Sequence, residues 1–284
     1  MNLEPIVVLS PLHSQAAREY MRGSLSIPQN IAPLPRVCAQ LAELTAQAAL
    51  DAAPLARLIQ SDLALAGEVM RVANSPALRP RAPVVSLRQA VSWLGAAEVR
   101  NIAMAVMLHG EVFVAPGHEP ESEELWREAW LAGLWAKEIA RERRKHVESA
   151  FLAALMHRTG AALALKILSR FEAEQRTVID TRSFAELVVE FEAAFGRLLM
   201  NKWSLPGDVQ DAASDWRNYQ DSSHSDLAGT VNAAHLLATH TMYPQLLSEE
   251  IVFECPVFEQ LGVFPDERRA MLAKRDRVLS LAGV

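Results

Sequence analysis

The chain has 284 residues, 50% hydrophobic and 22% charged, with a formal net charge of −6. That composition carries enough apolar surface for a packed core and excludes a disordered or low-complexity chain. An acidic chain is also a poor general binder of phosphate backbones.

The charge is uneven. Residues 1–111 hold nine Arg and eight acids, a net of +1, which leaves −7 for the remainder. Cys38 and Cys255, unpatterned, form neither a disulfide framework nor a zinc site. The start, MNLEPIVVLSPLHSQ, lacks the features of a signal peptide, and no apolar run approaches membrane-spanning length. A reducing cytoplasm is the expected compartment, with no membrane or nucleic-acid partner.

Ser10 before Pro11 reads as an N-cap that opens a helix to about Met21. Proline-rich 25–35 should be extended. Val37, Leu41, Leu44 and Ala48 then share a helical face, with Cys38 as a small core hydrophobe. Leu55, Leu58 and Ile59 mark a short helix. Leu65, Val69, Val72 and Ala73 mark the next, which stops at Asn74-Ser75-Pro76. Asp62 reads as its N-cap, and the Asn74 amide should tie down the following turn.

Ser86 and Gln89 form a capping box, and Gly95 ends that helix. Val99, Ile102 and Val106 predict a helix to about Leu108. A loop with Pro116, Gly117 and Pro120 is the best candidate boundary. Ser122 should open a long helix through Leu125, Trp126, Ala129, Gly133 and Ile139, closed by RERRKH (141–146) as a solvated basic end. Helices at about 148–169, 184–203, 207–219, 225–241 and 266–281 follow, the second with a Ser183/Glu186 capping box. Residues 6–9, 112–114 and 251–253 are candidates for extended structure, but none alternates long enough for a sheet. The fold class is all-α.

Several motifs resemble the HDOD (HD-related output domain) family. They are Leu34-Pro35, then LIQSDLALAGEVMRVANS (58–75) with Asp62, Asn74 and Ser75, then VVSLRQAVSWLGAAEVRNIAM (84–104) with Gly95. In the second half Trp126, LAALMHRTGAALAL (152–165) and FGRLLMNKWSLP (195–206), with Trp203 and Pro206, are similar to the family's HD-like part. The resemblance implies an N-terminal extension (1–24), a helical subdomain (25–115) and an HD-like subdomain with a C-terminal extension (120–284).

It also implies where metal ligands would stand in a catalytic relative. The first-helix His corresponds to Glu128. In the His-Asp pair His157 is retained, and Arg158 replaces the Asp. Later ligand positions correspond to Glu192, to Trp216 and Arg217, and to His235. A guanidinium has no lone pair and stays charged, so it would repel a cation at that place. No cofactor or metal is expected, and Arg158 should substitute for the cation by pairing with Glu128 and Glu192.

His157 alone reads as a satisfied helix histidine, and Trp203 and Trp216 as core residues. Arg79 and Arg81 flank Pro80 in a candidate contact loop. The resemblance implies a non-catalytic signal-transduction module with a protein partner, and a homo-oligomer is open. The alternatives are a divergent phosphohydrolase acting on nucleotides or cyclic dinucleotides, and a small-ligand sensor using Arg158 and Arg217 as anion contacts.

Overall fold

The computed structural model describes residues 7–8, 11–27, 33–34, 40, 52–78, 80 and 82–283. Ser10, Pro35, the helix expected around Cys38, and the Arg79 and Arg81 side of the contact loop lie outside the described residues. Helix α1 (Pro11–Leu25) is followed by α2 (Ala52–Gln60), α3 (Leu63–Ala73), α4 (Leu87–Leu94) and α5 (Ala96–Glu111). Then come α6 (Glu119–Glu142), α7 (Val147–Met156), α8 (Thr159–Gln175), α9 (Thr181–Lys202) and α10 (Gly207–Ser214). After a 3-10 turn (Trp216–Asp221), α11 (Ser225–Met242), α12 (Glu249–Glu254), α13 (Pro256–Gln260), α14 (Pro265–Leu272) and α15 (Arg275–Ala282) complete the chain.

The all-α class holds. Its one exception among the described residues is a two-residue parallel pair, β1 (Val7–Val8) against β2 (Thr177–Val178). Of the other segments read as extended, 112–114 is irregular and 251–253 lies within α12. Ser248 accepts a hydrogen bond from Ile251 N and so starts a helix there, against the local β-branched preference.

Two apolar clusters organise the chain. The smaller joins α2, α3, α4 and one end of α5 through Leu55, Ile59, Leu65, Val69, Val91 and Ile102. The larger is built on α6, which packs against α7, α11 and α15, while α8 and α9 pack on each other and receive α1. Ala105 and Leu108 carry α5 into the larger cluster, and Leu281 touches both.

Local chemistry explains most element ends. Asp62 Oδ1 accepts from Leu65 N at 2.9 Å, a cap contributing roughly 1 kcal/mol. The Asn74 amide does more than cap: it donates to Met70 O and Val84 O and accepts from Val84 N, closing the loop between α3 and α4. Ser86 caps α4, and Gly95 turns into α5 at φ +79°, where a β-carbon would be strained. Trp203 ends α9 and Pro206 starts α10.

Several predicted helices differ. α6 begins at Glu119, not Ser122, because Pro120 fits the first helical turn. α9 begins at Thr181, three residues earlier than expected, because Asp180 accepts from Ser183 N and makes the cap in place of Ser183. The stretch read as one helix over 148–169 breaks at His157 and Arg158. There the His157 ring donates to Ala154 O, and Thr159 Oγ1 donates to Met156 O at 2.7 Å. These side chains satisfy the carbonyls that a helix end leaves unpaired. Contrary to the expectation that no apolar run approaches membrane-spanning length, Val147–Gln175 taken as one segment is long and apolar enough, but 83% of its most apolar stretch is buried in the fold.

The helix read over 207–219 passes into a 3-10 turn, and that over 266–281 breaks between α14 and α15. RERRKH is not a wholly solvated end either. Arg143 is nearly buried and binds Asp226, Thr230 and Leu261 O, tying α6 to α11 and the loop after α13.

Gly160 marks the closest approach of α8 and α9. A β-carbon there would overlap the Glu192 carbonyl oxygen and lie 2.7 Å from Gly196 N.

Candidate functional site

The seven residues that the sequence places at the ligand positions come together from five places in the chain. Glu128 lies on α6, His157 and Arg158 between α7 and α8, and Glu192 on α9. Trp216 and Arg217 open the 3-10 turn, and His235 lies on α11. The α8–α9 contact at Gly160 brings Glu192 to Arg158.

Arg158 is the hub. Its Nε donates to Glu128 Oε2 and its Nη1 to Glu192 Oε2, both at 2.8 Å. Arg217 Nε donates to the other oxygen of Glu192 at 2.8 Å. Two carboxylates and two guanidiniums are thereby balanced. Trp216 packs beneath them, with the Arg217 guanidinium carbon 4.1 Å from its ring centre and the His235 ring centre 4.2 Å away. Stacked cation–aromatic contact of this kind adds to the ion pairs.

The histidines complete the arrangement. His157 Nδ1 faces Ala154 O, an acceptor only, so Nδ1 carries the proton and Nε2 presents a lone pair. That lone pair faces His235 Nδ1 at 3.2 Å, and His235 Nδ1 also faces Glu128 Oε1 at 3.0 Å. One proton on His235 Nδ1 serves both acceptors. Burial, reinforced by His235, pushes the His157 pKa well below its ordinary value. Burial opposes ionisation of Glu128, but Arg158 and the His235 hydrogen bond override it and hold the carboxyl well below the usual range.

This donor set does not fit a divalent cation. A guanidinium at the centre offers no lone pair, and the carboxylate oxygens that would bind metal already accept from Arg158, Arg217 and His235. Among the described residues no group of three or more His, Cys, Asp or Glu side chains is arranged to hold a metal ion.

Beside the network opens a cavity of about 690 Å³ between α6, α8, β2, α9 and α11. Glu128, Arg158 and His235 form its polar end. Glu121, Glu124, Tyr243 and His118 lie on the same wall, and Leu125, Phe184, Val188 and Met242 supply apolar surface. The sequence named Glu128, Arg158 and His235 but missed the rest of this cavity, although two signals were present. Glu121, Glu124 and Glu128 follow helical spacing along α6, as do His235, Thr239 and Met242 along α11. Arg217 is not on the cavity wall, and both arginines are engaged by carboxylates, so the cavity does not present the two together as the anion contacts the sequence suggested.

The other motif residues are structural. Trp203 is buried, and Ser75 is buried with its hydroxyl unpartnered. His240 is buried away from the site and faces Leu247 O.

Fold and residue set together define an all-helical protein of the HD-like class. The chain belongs to the HDOD family: the model described as HDOD domain matches residues 31–219. No curated protein matches it. Among solved structures it is similar to a candidate metal-dependent phosphohydrolase from Shewanella amazonensis SB2B, with 19% identity and a TM-score of 0.70 over 94% of this chain and 99% of that one. An HDOD domain protein of unknown function from Geobacter sulfurreducens gives 16% identity and a TM-score of 0.70, covering 95% of this chain and 97% of that one. A candidate signal transduction protein from Marinobacter aquaeolei VT8 gives 19% identity and a TM-score of 0.66, covering 95% of this chain and 66% of that longer one. These likenesses establish the fold.

Proposed function

We propose that this chain is a cytoplasmic regulatory module of bacterial signal transduction that works through contact with a partner protein and not through hydrolysis. One observation carries the reading: the Arg158 guanidinium sits between Glu128 and Glu192 and supplies the positive charge that a catalytic relative would take from a metal ion. Water activation by a cation needs open coordination and free donor oxygens, and these carboxylates are already spoken for.

Output then comes from surfaces. The smaller cluster, α2 to α5, presents the docking face, and its packing on the larger cluster through α5 carries any switching. The likeness to a candidate signal transduction protein supports this assignment of role.

Elemental analysis of the purified protein, paired with a phosphodiesterase assay on bis-p-nitrophenyl phosphate with added Mn²⁺, tests it. The expected result is substoichiometric metal and no hydrolysis above buffer. Stoichiometric metal, or metal-dependent hydrolysis lost in His157→Ala, overturns the reading in favour of a divergent phosphohydrolase.

A further inference from the structure

The cavity beside the ion network has walls of two kinds. Its carboxylates are Glu121, Glu124 and Glu128, set against one guanidinium, Arg158. Arg158 and Glu128 are paired and offset each other, so the charge left on the wall is that of Glu121 and Glu124. The two histidines on the wall also face carboxylates: His235 lies 3.0 Å from Glu128, and His118 Nε2 lies 2.7 Å from Glu172 Oε2. Tyr243 donates to one oxygen of Glu124 at 2.7 Å and thereby fixes that carboxylate at the wall. The potential inside is negative, the reverse of what a phosphate or nucleotide requires.

The rest of the wall is apolar, and part of it lies open to solvent. Val178, Val189 and Leu246 are 42%, 56% and 73% exposed, and all three line this cavity. Large apolar side chains grouped around a concave opening favour an occupant that removes them from water. At about 690 Å³ the cavity is of a size that takes a small molecule.

We propose that this cavity is a binding site for a hydrophobic organic cation, an alkyl- or arylammonium. Its charged head lies at Glu121 and Glu124 beside Tyr243, away from the Arg158 guanidinium, and its apolar body lies against Phe184, Val189 and Leu246. A divalent metal is a poor match because most of the wall offers it no ligand, and a carboxylate or phosphate ligand meets like charge. An aromatic face next to carboxylates is the chemistry that recognises ammonium groups. The inference stands on the cavity walls, whether or not the domain hydrolyses anything.

Isothermal titration of the full chain with octylammonium, octanoate and octanol separates the contributions of charge and apolar body. Saturable octylammonium binding is expected, at least tenfold tighter than either chain-matched control. Glu124→Gln should weaken octylammonium by about fivefold, the upper range for a partly exposed ion contact, and leave octanol unchanged. Glu121→Gln, at an exposed position, provides a second variant should Glu124→Gln alter the melting profile. Octanoate or octanol binding as tightly as octylammonium, no saturable octylammonium heat, or indifference to both substitutions overturns the proposal.

Discussion

Arg158 carries one charge and faces two carboxylates, and one of them, Glu192, is steadied from its far side by Arg217. Removing Arg158 leaves Glu128 without its guanidinium in a largely buried place, and Glu192 with only the half-exposed Arg217. Arg158→Ala should therefore lose about 3–5 kcal/mol of stability. Arg158→Met combined with Glu128→Gln and Glu192→Gln removes the charges together and should recover most of that loss. Denaturant titration compares the variants, and an Arg158→Ala protein as stable as the parent would show that the network is not what holds these helices. His157 makes a separate demand. Its folded pKa is depressed, so the unfolded chain takes up a proton at about pH 6.5 while the folded one does not. Stability from this group is complete above that pH and falls as pH drops through it. The depressed Glu128 carboxyl adds a second loss that begins near pH 4.3. His157→Asn, whose amide can still donate to Ala154 O, should flatten the first fall and leave the second. Unfolding curves at about pH 7.5 and 5.5 read the difference, and an unchanged slope would remove His157 from the account. The seven positions could be named in the sequence because the family motifs locate them one by one. The balance of charge between them was not, since pairing is a property of distance.

At the scale of the element, the sequence is clearest where a side chain bonds its own backbone. Asp62, Asn74, Ser86 and Gly95 announce their turns because the cap and a capped group lie within four residues. It is least clear where a helix is broken without Pro. LAALMHRTGAALAL carries only a short polar step, His157 to Gly160, in a segment that otherwise reads as one apolar helix, yet α7 ends and α8 begins inside it. The break is stabilised locally by His157 and Thr159, which donate to the last carbonyls of α7. It is set in space by Arg158, whose partners stand 30 and 34 residues away. Gly160 follows the same logic. Alone it reads as an ordinary glycine in a helix, and only the passage of α9 across it shows that a side chain there would push against Glu192. The acidic stripe on α6 is a further case: its spacing is visible, but solvated stripes are common, and only α9 and α11 turn this one into a cavity wall.

Over the whole molecule, two apolar clusters of unequal size share α5 and Leu281, and charged contacts stitch the seam. Lys137, 6% exposed, binds Glu98 across it, and Arg100 binds Glu148 at 2.9 Å. Arg71 donates to Leu281 O at 2.9 Å and holds α15 against α3. A regulatory role carried by the seam requires the smaller cluster to open without unfolding the larger, and the smaller cluster buries less apolar surface with which to resist opening. Lys137→Met keeps most of the volume that packs near Phe151 but leaves Glu98 without its cation. Glu98 is partly exposed and can hydrate, so the expected cost is about 1–3 kcal/mol, less than for a fully buried pair. That cost should fall on one side. In native-state hydrogen exchange, amides of α2, α3 and α4 should lose protection in the variant, while those of α6, α8 and α9 keep theirs. An even loss over both clusters would mean that the molecule opens as one cooperative unit. Switching at the seam would then have no physical basis, because no state would exist in which one half has moved and the other has not.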